Sequence, residues 1–236
     1  MRFIMQQIKL NKQHTKTLIM LGMVSLLGLF SACDMMEGLY DDTLDSNPSQ
    51  SDVENSAGKN QYYINATSYT QWIYINFHSD TLVITTSDIN IADSTETNEP
   101  AEWDIAHHHY DVKTNGASVL MTSYHSIEEL EAAGMPENAT WVEDTYNEEA
   151  FIIDLSTMLE GYLIYMPGYR NEEGCKWFNI DLSIMPPIYT MHDNVLLYRF
   201  NDGTYAAIQL INYMGTDRYH TKGWLTVNYK YPIFAP

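Results

Sequence analysis

The sequence predicts an all-β domain, mainly antiparallel, with one or two short helices. Three observations carry this. Short runs dense in aromatic and β-branched residues recur along the chain. Turn-forming residues punctuate them at close intervals. Only one segment has the start signal and length of a helix.

The leader comes first and lies outside the fold. Residues Met1–Lys16 carry Arg2, Lys9, Lys12 and Lys16 and no acid, an apolar stretch runs from Thr17 to Phe30, and Ser31 and Ala32 precede Cys33. A basic start, a short apolar run and a small-residue exit make a secretory signal peptide over 1–32. The apolar run falls short of the roughly 20 residues a membrane-spanning helix needs. Leu29-Phe30-Ser31-Ala32-Cys33 resembles a bacterial lipobox, with Phe30 in the place usually held by Leu, Val or Ile. Cys33 is therefore the expected lipidation site. That leaves Cys175 as the one free thiol, so no intramolecular disulfide holds the domain. Its acidic neighbours Glu172 and Glu173 are expected to raise its pKa and dull its reactivity.

Loss of the leader removes four of the 12 basic residues and none of the 31 acids, so the formal charge moves from −19 to −23. Such a chain repels nucleic-acid phosphates and has no polybasic surface for anionic lipid. From Cys33 to about residue 60 the composition is rich in Asp, Glu, Ser, Asn and Gly. It buries too little to repay ordering and reads as a flexible acidic tether. The domain is expected over 61–236.

Within it, Tyr62-Tyr63-Ile64, Trp72–Phe77 and Thr81–Thr85 read as consecutive strands, separated by Ala66-Thr67-Ser68 and His78-Ser79-Asp80. Trp103–Val112 reads as one further strand, closed by a turn at Thr114-Asn115-Gly116, and Ser118–Tyr124 follows. Ser126 with Glu129 three places on is a capping box and starts the helix, which ends at Gly134. Met135–Asn147 reads as loop. Ala150–Leu155, Leu163–Tyr165, Trp177–Ile180, Val195–Phe200, Tyr205–Ile211 and Trp224–Tyr231 are strand-like, with Asn201-Asp202-Gly203 marking a hairpin.

No catalytic constellation stands out. There is no nucleophile elbow, phosphate loop or Cys-His pair, and the acid pairs Glu148-Glu149 and Glu172-Glu173 lie in polar segments that read as solvated surface. His107-His108-His109 invites a metal, but in a strand His107 and His109 alone share a face. The bland reading is a central strand with one packed and two exposed imidazoles. Methionine is more informative. Met158 and Met185 each follow an Asp-Leu-Ser start, Asp154-Leu155-Ser156 and Asp181-Leu182-Ser183. A thioether is a soft ligand and serves haem iron as an axial partner; it is also the ordinary gap-filler of a core. The residues alone leave both roles open.

Several stretches resemble the HmuY-like family of haem-binding lipoproteins of Bacteroidetes: Asn65–Tyr74; Trp103-Asp104-Ile105-Ala106 with His108, Asp111 and Lys113-Thr114-Asn115-Gly116; Met185-Pro186-Pro187-Ile188-Tyr189-Thr190; Asp202-Gly203-Thr204 with Ala206, Ala207 and Leu210; and the tail Trp224–Pro232. The resemblance spans roughly 61–234. It implies an all-β, hand-shaped fold that grips haem, a cell-surface lipoprotein of the outer membrane, and no enzymatic activity. Partners implied are haem, a TonB-dependent outer-membrane haem receptor and host haemoproteins. The family's best-known member binds iron through two histidines. Aligning through Trp177, Pro187, Tyr189 and Asp202-Gly203 places Leu182 where the second of these would lie. The chain instead resembles the branch with two methionines, with Met158 and Met185, 27 residues apart, as the implied axial ligands. His108 matches a structural histidine of the family. Met166, Met191 and His192 are rival ligands, and Tyr162, Tyr165, Met166, Ile184 and Ile188 are candidate wall residues. A non-haem binding module, for another tetrapyrrole, a siderophore or a glycan, and an adhesion lipoprotein are the alternatives on the same fold.

Overall fold

A computed structural model of the chain describes residues 60–181, 183 and 188–234. The leader, Cys33, the tether up to residue 59 and Met185 lie outside the described residues. No helix among those described is long and apolar enough to cross a membrane.

Fourteen strands are described, and every strand pairing is antiparallel. One five-stranded sheet comprises β1 (Asn60–Asn65), β14 (Lys222–Lys230), β13 (Tyr205–Met214), β12 (Leu196–Arg199) and β7 (Ser118–Met121), in that order. A second comprises β4 (Thr95–Thr97), β3 (Val83–Asn90), β2 (Gln71–Asn76), β5 (Ile105–His108) and β6 (Asp111–Thr114). Two separate hairpins complete the fold: β8 (Thr145–Asp154) with β9 (Ile164–Arg170), and β10 (Phe178–Asp181) with β11 (Ile188–Met191).

Side-chain alternation explains the layering. On β2, Ile73 and Ile75 share one core with Ile105, Val112, Leu196, Tyr198, Ile208, Leu225 and Val227, drawn from both sheets. The next residues along, Trp72 and Tyr74, face the other way and pack with Phe151, Ile153 and Met166 of the first hairpin. On β12, Leu196 and Tyr198 point into the shared core while Leu197 meets Ile127 and Leu130 of helix α1 (Ile127–Ala133). β2 and β12 are thus covered on both faces, which is why Trp72-Ile73-Tyr74-Ile75 is a continuous buried run. Ser126 caps the helix, with Glu129 N–H donating to Ser126 Oγ at 3.1 Å, while Glu129 Oε2 accepts from His125 N–H at 3.0 Å, one residue before the N–H that a capping box uses.

Three expectations are corrected. Trp103–Val112 is not one strand. The chain turns at His109, whose φ of +55° breaks the extended run, and β5 folds back on β6 with His107 opposite Val112. The Asn115-Gly116 turn then carries the chain from one sheet to the other. The loop after Met135 ends three residues early, because Thr145–Glu149 extends β8 as an exposed strand paired only with β9. The histidine triplet is not one packed and two exposed rings. His107 and His108 are both fully buried and His109 is half-buried. His107 stacks on Trp177 at 4.8 Å and bonds Tyr62 Oη at 3.2 Å. His108 reaches the Tyr69 carbonyl at 2.9 Å, and His109 bridges the Ala66 carbonyl and Tyr69 Oη at 2.9 and 3.1 Å. These rings pin the second sheet to its neighbours.

Cys175 is buried, and its sulfur accepts the Val112 N–H at 3.2 Å. Its thiol pKa is pushed up to about 12, first by burial and then by Asp111, with Glu172 a minor contributor. The expected direction holds, but the main cause is desolvation rather than the adjacent glutamates. A thiol with that pKa is almost wholly protonated at pH 8. Iodoacetamide is therefore expected to leave Cys175 unmodified in the native domain and to alkylate it in urea. Native labelling at the rate of an exposed thiol would contradict the burial described.

Candidate functional site

Each Asp-Leu-Ser frame of the sequence begins at the end of a hairpin strand, β8 at Asp154 and β10 at Asp181. In the first, β8 and β9 pair as far as Asp154 opposite Ile164, leaving a tip over residues 155–163. Asp154 Oδ1 accepts the Ser156 N–H at 2.7 Å and its Oδ2 accepts the Ser156 hydroxyl at 2.8 Å. This local turn starts the tip. A single 3-10 turn, Met158–Glu160, follows, and Gly161 closes it at φ +92°, donating to the Met158 carbonyl at 3.1 Å. That left-handed backbone is cheap only for glycine. Thr157 Oγ1 donates to the Tyr162 carbonyl at 2.9 Å and ties the two sides together. The tip is organised by its own hydrogen bonds.

What it displays is apolar. Met158 is 50 % exposed, Leu159 96 % and Tyr162 56 %. Leaving three large apolar side chains in water at one turn forgoes burial energy, on the order of 1.5–3 kcal/mol for each full side chain. The Met158 thioether stands free of the core and is available as a soft donor.

The second hairpin repeats the opening geometry. In it, β10 and β11 pair as far as Asp181 opposite Ile188. Asp181 Oδ1 accepts both the Ser183 N–H at 2.9 Å and the Ser183 hydroxyl at 2.6 Å. The Asp-x-Ser turn noticed twice in the sequence therefore forms twice, and in each case a methionine follows the serine by two residues. Hydrogen bonds from the serines hold both the Asp154 and the Asp181 carboxyls below their ordinary pKa of 3.8. Met185 itself, with Ile184, lies outside the described residues.

The base of this hairpin is fixed to the core. Phe178 stacks on Tyr110 at 4.3 Å and meets Tyr213 edge-on at 4.7 Å, and His192 N–H donates to the Trp177 carbonyl at 2.9 Å. Ile188 is 50 % exposed beside the tip, and Lys222 Nζ lies 3.6 Å from the Tyr189 ring centroid. The Lys222 contact was not legible in the sequence, because 33 residues separate the partners and β14 alone brings them together.

Of the rival ligands, Met166 lies on β9 and Met191 on β11, and His192 follows β11 directly. Met166 is buried with Trp72, Tyr74 and Phe151 on the outer face of the second sheet. Met191 is half-buried against the shared core. Of the candidate wall residues, Tyr162 and Ile188 are exposed at or beside the tips, Tyr165 is half-buried within β9, and Met166 belongs to the interior.

Comparison with known proteins places this architecture. A comparison with curated proteins returned no match. Among solved structures, a candidate lipoprotein of Bacteroides fragilis is 39% identical, with 78% of this chain and 94% of that one covered at a TM-score of 0.68. A candidate HmuY-like heme-binding protein of Bacteroides vulgatus is 42% identical over 75% of this chain and 93% of that one, TM-score 0.64. The apo HmuY analog of Tannerella forsythia, at 20% identity and a TM-score of 0.57 over 75% and 97% of the two chains, shares the fold. The family model described as HmuY protein matches residues 68–229, more than half of the sequence, and the chain belongs to the HmuY family.

Proposed function

We propose that the protein is a cell-surface lipoprotein that binds haem between the thioethers of Met158 and Met185 and passes it to an outer-membrane, TonB-dependent receptor. It acts as a carrier and not as an enzyme. The observation that carries this reading is the exposed Met158 on an apolar tip built by an Asp-x-Ser turn; the same turn forms at Asp181 and Ser183, two residues before Met185 in the sequence. Family membership and the relative described as heme-binding support the ligand. Lipidation at Cys33 supplies the anchor, the stretch up to residue 60 the tether, and host haemoproteins a source of haem.

The exposed apolar groups fit the group they would hold. A porphyrin is a flat apolar plate, and Leu159, Tyr162 and Ile188 offer it contact area that water now occupies. Bound haem supplies a redox-active iron with two axial positions. A thioether is a softer and weaker donor than imidazole and favours the ferrous state. The test is a visible spectrum of the reduced protein with haem. A sharp low-spin Soret band, with tighter binding of ferrous than ferric haem, supports the reading. No spectral change on adding ferrous haem overturns it and leaves a non-haem ligand or an adhesive role.

The pH dependence follows from the same groups. Thioethers do not titrate, whereas imidazole ligands protonate near pH 6.5. Hydrogen bonds from the serines lower the pKa of Asp154 and Asp181 in the folded state, so the stabilisation these turns add is present above 3.8 and is lost as pH falls through the lowered value. Haem affinity is expected to stay level between about pH 5 and 8 and to drop only in the acid range of these carboxylates. A loss centred near pH 6.5 in a titration of the haem spectrum would point to histidine ligation instead.

A further inference from the structure

A cavity of about 510 Å³ opens on the outer side of the second sheet, and none of the tip residues lines it. Trp103 and Tyr169 supply its accessible aromatic walls, over a buried floor of Trp72, Phe151 and Met166. Four carboxylates reach it, from Glu96, Glu99, Glu143 and Asp144, against one cation, Lys113. The position of Lys113 shows what the walls accept. Its Nζ lies 4.2 Å from the Trp72 ring centroid, 4.9 Å from Tyr74 and 5.4 Å from Trp103, and 2.9 Å from Glu96 Oε2. Three aromatic faces around one ammonium make a cation–π cage, here filled by the chain's own side chain. Glu96 is fully engaged, because its other oxygen takes the hydroxyls of Tyr74 and Ser87.

The remaining carboxylates have no such partner. Glu99 and Glu143 are exposed at the mouth and form no salt bridge among the described residues. Asp144 is half-buried and is fixed by Thr114 N–H at 2.6 Å, Thr114 Oγ1 at 2.8 Å and Asn171 Nδ2 at 2.8 Å, neutral donors that position its charge without cancelling it. Trp72 Nε1 is buried with no hydrogen-bond partner. The lining is thus aromatic, preorganised and net negative even with Lys113 in place. An anion would be repelled from it, and a neutral ligand would leave the carboxylates uncompensated.

We propose that this cavity is a second binding site, for an organic cation: an ammonium or guanidinium group on a small apolar body, held by Glu99, Glu143 and Asp144 against the Trp103 wall beside the Lys113 cage. Its cation is either a free small molecule or the basic side chain of a polypeptide. The proposal is independent of haem binding.

The test titrates the haem-free full-length chain with agmatine, with the tripeptide acetyl-Gly-Arg-Gly-amide, and with the neutral isostere in which citrulline replaces arginine. Calorimetry and tryptophan fluorescence are the readouts, since Trp72 and Trp103 both line the cavity. At least one of the two cations is expected to bind, with affinity that falls as salt rises, and the citrulline peptide is expected not to bind. Preference for agmatine identifies the free molecule, and preference for the tripeptide identifies the polypeptide. Lys113→Met removes the competing ammonium and is expected to tighten cation binding about tenfold, equivalent to about 1.4 kcal/mol. Glu99→Gln, at an exposed position that leaves the fold untouched, is expected to weaken it by a similar factor. No binding of either cation at millimolar concentration, equal binding of the citrulline peptide, or cation affinity unchanged in both Lys113→Met and Glu99→Gln would overturn the proposal.

Discussion

Met158→Ala and Met185→Ala are each expected to weaken ferrous haem binding by at least about tenfold, a loss of about 1.4 kcal/mol or more per ligand, and to turn a low-spin spectrum high-spin. The double variant should lose the low-spin band altogether. Met158 suits this test because it is 50 % exposed and makes no core contacts in the clusters described. Surface truncations of that kind usually change stability by no more than about 0.5 kcal/mol, so a spectral loss reads ligation and not unfolding. Met166→Leu is the matched control. Met166 packs with Trp72 and Phe151, and a volume-conserving swap there costs under about 1.5 kcal/mol while leaving the haem spectrum unchanged. Met158→His offers a converse readout. Imidazole is the harder donor and titrates near pH 6.5, so this variant should bind ferric haem better and release it on mild acidification. If both alanine variants keep the parent Soret band, the methionine assignment fails.

The strands of the two sheets were legible in the sequence wherever their residues carried apolar character. Trp72–Phe77, Val195–Phe200 and Tyr205–Ile211 fall on β2, β12 and β13, and the Asn201-Asp202-Gly203 signal sits in the turn that sets Arg199 opposite Tyr205. The misses have physical reasons. Thr145–Glu149 is exposed along its length, so no alternation marks it, and its pairing with β9 alone makes it a strand. The reversal at His109 uses a positive φ without glycine or asparagine. It is held by ring hydrogen bonds to Ala66 and Tyr69, which are distant in sequence. The recurring Asp-Leu-Ser frame was visible, and the two aspartate–serine turns give it a local meaning that needs no tertiary contact. The Lys113 cage was not visible at all. Its three rings and its glutamate come from three separate segments that only sheet pairing assembles.

Trp177→Ala is expected to be the most damaging single substitution, costing about 4–6 kcal/mol. Trp177 is 1 % exposed in the shared core, stacks on His107, and donates its indole N–H to the Tyr110 carbonyl at 3.0 Å. Truncation opens a cavity of indole size and orphans that carbonyl. A domain of this size is stable by roughly 5–15 kcal/mol, and each kcal/mol lost lowers Tm by about 2–4 °C, so a drop on the order of 10–20 °C is expected in thermal unfolding. Trp177→Phe keeps most of the packing, loses only the N–H bond, and should cost about 1–2 kcal/mol. A pH series adds a readout specific to the His107 contact. Burial lowers the His107 pKa from 6.5 to about 3. Between those values the unfolded chain binds a proton that the native state refuses. Its contribution to stability is complete above about pH 6.5 and is lost as pH falls, at up to about 1.4 kcal/mol per unit. Opening the Trp177 site to water lets His107 protonate in the native state, so the variant should lose less stability per pH unit than the parent across that range. An identical slope in both proteins would show that Trp177 does not seal the ring. The same residue closes the base of the second hairpin, since its carbonyl accepts the His192 N–H at 2.9 Å and β10 begins at the next residue. Loss of the indole should therefore also weaken haem affinity through the hairpin whose strands flank Met185 in the sequence, and Trp177→Phe should restore most of it.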